Sequence, residues 1–307
     1  MVGSVPTVLL LVLIVVLLAR IVPGNVIDAA VGDQGAISDA DREQIEHELG
    51  LDRSVPEQYV RYLGNLLTGS LGESLWSRES VLSVVTPRLR PTIELAVIAL
   101  IMALIISLPL GVWAAVRANS PTDYTLRIFS VLGLSVPSFV VASYVMLLPA
   151  MWWGWFVPIY EEPSDGLWVH YKSLLIPAGI LAVELSAALT RLTRTCVLES
   201  LRQDYVRTAR SKGLRETIVL VRHVVRNSLI PVVSVVGLQI VALFSGVVII
   251  EQIFGIAGVG QLIIASFQAR DYTMIQGITV LLGFVAISVN ILADLSYVWL
   301  NPRIRLA

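Results

Sequence analysis

Six stretches of this 307-residue chain run for about twenty residues with few or no charges: Val5–Val22, Thr92–Val116, Ile128–Trp153, Leu174–Leu192, Leu229–Ile250 and Ile275–Leu300. About twenty apolar residues is the length an α-helix needs to cross the hydrocarbon of a bilayer. Open sheet edges and irregular backbone cannot face lipid, because their peptide groups would go unpaired there. Hydrophobic residues make up 56% of the chain and charged ones 15%, which leaves little surface for a soluble protein of this size. The expected fold class is therefore an all-α integral membrane protein with six transmembrane helices.

Charge sorting sets the expected orientation. The connection after the fourth span carries nine Lys or Arg between Arg191 and Arg226. Arg117 and Arg127 follow the second span, and Arg303 and Arg305 lie in the tail. The short connections on the other face, Gly154–Lys172 and Glu251–Met274, carry one basic residue each. Basic short loops stay in the cytoplasm, so both termini are expected there. A secretory signal is the competing reading of the first span. No Lys or Arg precedes it and no A-x-A site follows it, so residues 1–22 are read as an uncleaved membrane helix.

Residues 23–91 are polar and acid-rich, and are expected to form a small external subdomain between helices 1 and 2. A helix is predicted at Asp39–Glu48, capped by Asp39 and favoured by Asp41, Glu43 and Glu46 in its N-terminal half. Residues 92–307 then form a five-helix core. Pro109 and Pro137 are expected to kink the second and third spans, with the tryptophan cluster Trp152, Trp153 and Trp155 at the membrane boundary.

Several chemistries are excluded. Cys196 is alone, so no disulfide forms within the chain. His47, His170 and His223 make no paired metal motif and are expected to be solvated or interfacial. Neither Lys172 nor Lys212 stands in a phosphate-loop spacing, so the chain carries no ATPase site of that kind. An intramembrane hydrolase needs a nucleophile with its base, or a metal pair, at depth, and no histidine lies mid-span. A gradient-driven secondary transporter is the rival from another class, but the intramembrane carboxylates are few and dispersed and no repeat of halves is visible.

Polar groups inside apolar spans are costly and point to packing seams or water-lined paths. Ala178, Ala182, Ser186 and Thr190 fall four apart on one face of the fourth span. Small residues at that spacing permit close helix approach, with path lining as the alternative. Glu184 lies nearest mid-span and leads the translocation-path candidates, followed by Ser186, Gln239 and Asn290. Glu94 and Asp294 sit near helix ends and are structural or gating candidates, with Pro137, Glu251 and Gly258.

The run DYVRTARSKGLRETIVLVRHVVRNSLIP, Asp204–Pro231, is the most informative stretch. It reads as a short amphipathic helix, a turn permitted by Gly213, and a second amphipathic stretch, Ile218–Arg226, leading to Pro231, which is expected to open the next apolar helix. As a basic loop it is at least a topology signal; as helix, glycine, helix it also suits docking of a cytoplasmic partner.

Motifs in order along almost the whole chain now bear on the family. They are ARIVPGN at Ala19–Asn25, HELGLDRSVPEQYVRYLGNLLTGSLGESL at His47–Leu75, PRLRPTIELA at Pro87–Ala96 and LGLSVPSF at Leu132–Phe139. LTRLTR at Leu189–Arg194, DYVRTARSKGL at Asp204–Leu214 and RHVVRNSLIPVV at Arg222–Val233 follow, then RDYTMIQG at Arg270–Gly277 and LADLSYVWLNPRIR at Leu292–Arg305. The chain resembles the inner-membrane permease subunit of ATP-binding cassette importers for dipeptides and oligopeptides.

That resemblance implies that residues 193–228 are a cytoplasmic coupling region. Asp204, Tyr205, Arg207, Thr208, Ala209, Arg210 and Gly213 would then stand at the family's coupling loop, where a helix seats in a groove of the ATPase. It implies a second homologous permease chain, two ATPase domains holding ATP and Mg2+, and an extracytoplasmic peptide-binding protein. No cofactor, metal or nucleic acid is expected on this chain, and no catalytic residue. Close relatives of the family carry nickel complexes, glutathione or haem instead of peptides. Three departures stand out. The loop's Glu-Ala-Ala is Arg-Thr-Ala here and Pro231 lies further from Gly213, both common among peptide permeases. Ala257 stands where the family usually has proline, so a looser external turn is expected, and no basic leader precedes Val5.

Overall fold

The computed structural model describes residues 4–21 and 53–300 of the chain. The helix predicted at Asp39–Glu48 and the basic tail lie outside the described residues, as does the side chain of Asp294. Among the described residues every regular element is helical, and one isolated bridge pairs Glu73 with Ser80. The chain divides into two compact units: residues up to Pro91 with Ala257–Ser288, and Thr92–Ile256 with the residues from Val289 onward.

In the first unit, α1 (Ser4–Ile21) and α2 (Val55–Leu67) are joined by the Tyr59 hydroxyl, which donates to the Leu9 carbonyl at 3.1 Å. Pro56 and Glu57 in the first turn suit the start of α2, where N–H groups have no partner. Beyond two glycines at positive φ, Gly69 and Gly72, the chain enters α3 (Val81–Val116). Asp271 organises the turn into α10 (Tyr272–Leu300): its carboxylate accepts from Ser74 Oγ at 2.6 Å and from the Met274 amide at 3.0 Å. The Trp76 indole donates to the Ala269 carbonyl at 2.8 Å. Val15, Leu71, Val81, Val85, Leu262 and Ile278 form the core, and α9 (Val259–Gln268) packs into it. Gly277 is needed there, since a Cβ would lie 2.5 Å from Val81 Cγ1.

Helix α3 starts eleven residues before the expected Thr92, and runs through Pro87, Pro91 and Pro109. Each proline removes one ladder donor. The carbonyls freed by Pro87 and Pro91 belong to Ser83 and Pro87, both exposed, so solvent can satisfy them.

The second unit is built around α6 (Leu167–Leu201), on which α4 (Pro121–Ser135), α5 (Ser138–Trp153) and α8 (Glu216–Phe254) pack. Its core joins Leu95, Ala99 and Ala103 of α3, Ala142 of α5, Leu174, Leu181 and Leu185 of α6, and Val247 and Ile250 of α8. The small-residue face behaves as a packing seam: Ala178, Ala182, Ser186 and Thr190 are all buried. Glycines let neighbours approach it. A Cβ on Gly111 of α3 would lie 2.6 Å from Thr193 Cβ, and one on Gly133 of α4 would lie 2.9 Å from Ala187 Cβ.

Two expectations about proline need correction. The third span is not one kinked helix: α4 and α5 meet at 89°. Pro137 pushes the residue before it out of the helical region, and Val136 is extended at φ −104°, ψ 114°. Pro231 does not open a helix but lies inside α8, whose residues Val219–Val225 form a π-helical turn. Side chains bond to nearby carbonyls around the proline: Asn227 to His223, Ser228 to Val225 and Ser234 to Ile230. The carbonyl that Pro231 frees is that of Asn227, an exposed residue, so solvent can satisfy it as at Pro87 and Pro91.

Helices α3, α6, α8 and α10 are long and apolar enough to cross a membrane, and the bent pair α4/α5 makes a fifth if taken as one span. The apolar part of α1, Pro6–Leu17, is shorter.

Candidate functional site

At the end of the second unit where α6 stops and α8 begins, the short helix α7 (Asp204–Ser211) lies between them. Asp204 in its first turn and Arg210 in its last complement the helix dipole. Val206 and Ala209, three apart on one face, are buried in a cluster with Ala115 of α3, Val197 of α6, and Val219 and Val224 of α8. The Tyr205 hydroxyl lies 2.5 Å from Ser200 Oγ, which donates to the Val224 carbonyl at 3.2 Å. This relay ties α7 to both neighbours through one serine.

Gly213 ends the helix at φ +76°, a left-handed conformation that side-chain-bearing residues adopt at a cost, and its amide donates to the Arg210 carbonyl at 2.9 Å. The turn read from the sequence is therefore present at the expected residue. Arg210 is engaged within the chain: its guanidinium forks onto Glu216, with Nη2 at 2.5 Å and Nε at 3.1 Å. Arg207 faces solvent, 3.5 Å from the still more exposed Asp204. With Thr208 these two form an open polar face on a helix whose other face is seated.

Sequence reasoning missed the strongest polar cluster at this end. Asp123, fully buried, accepts from Arg194 of α6 through Nε at 2.6 Å and Nη2 at 2.8 Å. Arg127 reaches it from the next turn of α4, and the Asn119 amide donates at 2.9 Å. The hydrogen bonds from Arg194, reinforced by Arg127 and Asn119, hold the Asp123 carboxyl well below the usual carboxylate range, against the opposing effect of burial. A local signal was available, since Ser120–Pro121–Thr122–Asp123 reads as a helix start and Ser120 does cap it. The contact to Arg194, 71 residues away, was not readable.

The opposite end of the unit holds two more carboxylates, the buried Glu251 and the half-buried Glu94. Thr92 donates to Glu251 Oε1 at 2.6 Å, and Glu251 is fully buried. His170 corrects an expectation: it is buried rather than solvated, because both ring nitrogens are used. Nδ1 stands 2.7 Å from the Glu161 carbonyl, which only accepts, so Nδ1 carries a hydrogen. Nε2 stands 2.7 Å from Glu94 Oε2. The rings of Tyr160 and Tyr171 meet His170 edge-on.

The path candidates are not drawn into one cluster. Ser186 is buried in the seam and donates to the Val183 carbonyl at 2.9 Å. Glu184 and Gln239 are half-buried, on α6 and α8, and Asn290 on α10 is exposed. Pro137 forms the corner between α4 and α5, and Gly258 is the extended N-cap of α9. Among the described residues no group of His, Cys, Asp and Glu is placed to hold a metal ion.

The chain matches two family models: "Binding-protein-dependent transport system inner membrane component" over residues 107–306, and the N-terminal model of the same transport-system membrane components over residues 1–96. A putative peptide permease protein of Brucella ovis is 37% identical over 304 residues, covering 97% of this chain and 94% of that one. The glutathione transport system permease protein GsiC of Pectobacterium atrosepticum is 34% identical over 303 residues, covering 99% and 96%. The oligopeptide transport system permease protein AppB of Bacillus subtilis is 37% identical over 273 residues, covering 88% and 86%. Two solved structures share the fold: an amino acid ABC transporter (TM-score 0.56, 14% identity, 70% of this chain and 93% of that one) and the inward-facing MetNI methionine ABC transporter (TM-score 0.55, 15%, 72% and 97%). The chain belongs to the binding-protein-dependent transport system inner membrane component family, and is a multi-pass inner-membrane permease subunit of an ABC importer.

Proposed function

We propose that this permease forms, with a second homologous chain, the path by which dipeptides or oligopeptides enter the cell. Two ATPase subunits on the cytoplasmic face, holding ATP and Mg2+, drive it, and an extracytoplasmic binding protein delivers the peptide. Six spans with both termini in the cytoplasm put the basic end, and α7, on the ATPase side. A path is physically required, because peptide termini and amides cost several kcal/mol each if moved through lipid unpaired. The chain contributes no ATP chemistry of its own.

One observation carries the coupling role: α7 is seated by Val206 and Ala209 yet leaves Asp204, Arg207 and Thr208 open. A helix held on one face and bare on the other suits insertion into a groove of a partner. Motion of that partner reaches α6 and α8 through the shared cluster and the Ser200 relay. Peptide is the preferred cargo because relatives over nearly the whole length are named as peptide permeases.

The test is gentle purification of the tagged chain, identification of co-purifying proteins, and uptake in proteoliposomes with competing di- and oligopeptides or glutathione. A second permease with Walker-motif ATPases, and ATP-driven uptake competed by peptides, is the expected result. Competition by glutathione alone would move the cargo to that of the Pectobacterium relative. Gradient-driven uptake by the chain alone would overturn the reading.

A further inference from the structure

An apolar groove of about 460 Å³ runs between α3 and α8, lined by Leu108, Pro109, Val112, Trp113, Leu220 and Val225 together with Val116 and Leu229. The only polar atom on these side chains is the Trp113 indole nitrogen. From Leu108 to Val116 the groove extends about 12 Å along α3, at the helical rise of 1.5 Å per residue. The π-helical turn helps to shape its other wall. Leu220 and Val225 are five apart, which would set them about 140° apart around an α-helix. In a π-helix residues five apart are hydrogen-bonded neighbours and share a face, so both line the groove.

Basic residues neighbour the groove's lining residues in the chain. The Arg117 guanidinium stands over the Trp113 ring, 5.6 Å from its centroid. Arg222 and Arg226, on either side of Val225, are exposed, and their side chains make no hydrogen bond or ion pair among the described residues. The local acid Glu216 is already taken by Arg210. One cation stacked on a lining ring, and two exposed cations near lining residues in the chain, match an amphiphile with an anionic head and a hydrocarbon tail.

We infer that the groove between α3 and α8 is a binding site for an anionic phospholipid, with one acyl chain along Leu108–Val116 and the head phosphate at Arg117, Arg222 and Arg226. The site lies beside the seat of α7, since Ala115 of α3 and Val219 and Val224 of the π turn belong to the cluster that holds Val206 and Ala209. An occupied groove braces the same π turn against α3.

The test uses the full chain with its co-purifying subunits, delipidated in detergent and given phosphatidylglycerol or phosphatidylcholine of identical acyl chains. Bound lipid is counted by native mass spectrometry, and melting is followed in parallel. The parent is expected to retain phosphatidylglycerol preferentially and to melt higher with it, and inorganic phosphate is expected to reproduce neither effect. Each of Arg117→Gln, Arg222→Gln and Arg226→Gln lowers the preference by about fivefold, the weight of one basic side chain near an anionic surface. Val112→Trp fills the slot and removes retention of both lipids; should that variant fail to fold, the exposed arginine variants decide alone. Equal retention of the two lipids, or a preference untouched by the arginine variants, overturns the proposal. So does a Val112→Trp variant that releases a co-purifying permease while lipid retention stays at the parent level, which would make the groove a seam between chains.

Discussion

Helices α6 and α7 are neighbours in sequence, yet they are held by opposite means. Helix α6 is buried along most of its length, meets α3 and α4 through glycines, and is tied at both ends by carboxylates: Glu94 to His170 at one, Asp123 to Arg194 at the other. Helix α7 is held by two small side chains and one hydroxyl relay, and its remaining polar residues face outward. The first arrangement resists any relative motion, because a seam of small residues has no slack to reshape. The second allows a helix to be tilted by whatever grips its open face. A transporter driven from outside its own chain needs both a stiff frame and a loosely seated handle.

Breaking the frame should cost most. Arg194→Ala leaves a buried carboxylate with one guanidinium instead of two, and a destabilisation of about 3 kcal/mol is expected, read as a drop in melting temperature of the purified complex. The sign of its pH dependence is fixed by the lowered pKa of Asp123. A depressed carboxylate contributes its stability fully above its unfolded value, near 4, and loses it only as pH falls through the still lower folded value. The melting difference between parent and Arg194→Ala should therefore be constant from about pH 6 to 9 and shrink only in strong acid. A difference that collapses near pH 6 would mean that another group carries the tie.

Gly111→Val is expected next, at about 2 kcal/mol, since overpacking a tight seam typically costs 1–3. The strain falls on Thr193 and on the Thr190 carbonyl, 2.9 Å from any added Cβ. A melting temperature equal to the parent's would show that α3 can move off α6. Loosening the handle should look different. Val206→Ala removes roughly 1–2 kcal/mol of local packing. Global melting should change little, while amide exchange over 204–213 accelerates several-fold. Protection unchanged there would mean that α7 is held by more than its two buried residues.

The contrast between the two helices was partly legible in the sequence. The four-residue spacing of Ala178, Ala182, Ser186 and Thr190 marked the seam, because period and residue size are local properties. Gly213 was legible for the same reason: a left-handed cap can be read from one residue and its neighbours. What failed depended on partners distant in the chain. His170 reads as an interfacial histidine until Glu94, 76 residues away, and the Glu161 carbonyl are seen to take both its nitrogens. Asp123 reads as a first-turn acid behind the Ser120 cap and turns out to lock α4 to α6. Proline misled in both directions. Pro137 makes a corner rather than a kink, since its predecessor has no competing reason to stay helical, whereas Pro231 and Pro87 are absorbed where the carbonyls they free belong to exposed residues.

Substitutions on the open face of α7 should leave stability almost untouched. Arg207→Ala is expected within about 0.5 kcal/mol of the parent, as for most exposed side chains. Its effect should appear in the ratio of transport to ATP hydrolysis.

The most direct measurement is ATP-driven uptake, with ATP hydrolysis in the same vesicles, by the reconstituted complex carrying Gly213→Pro. Proline cannot adopt the φ of +76° found there and has no amide to donate to Arg210, so α7 loses its cap while the frame keeps all its contacts. The account predicts parental insertion and melting, continued hydrolysis and lost uptake. Uptake per ATP equal to the parent's would contradict the assignment of α7 as the element through which the permease is driven.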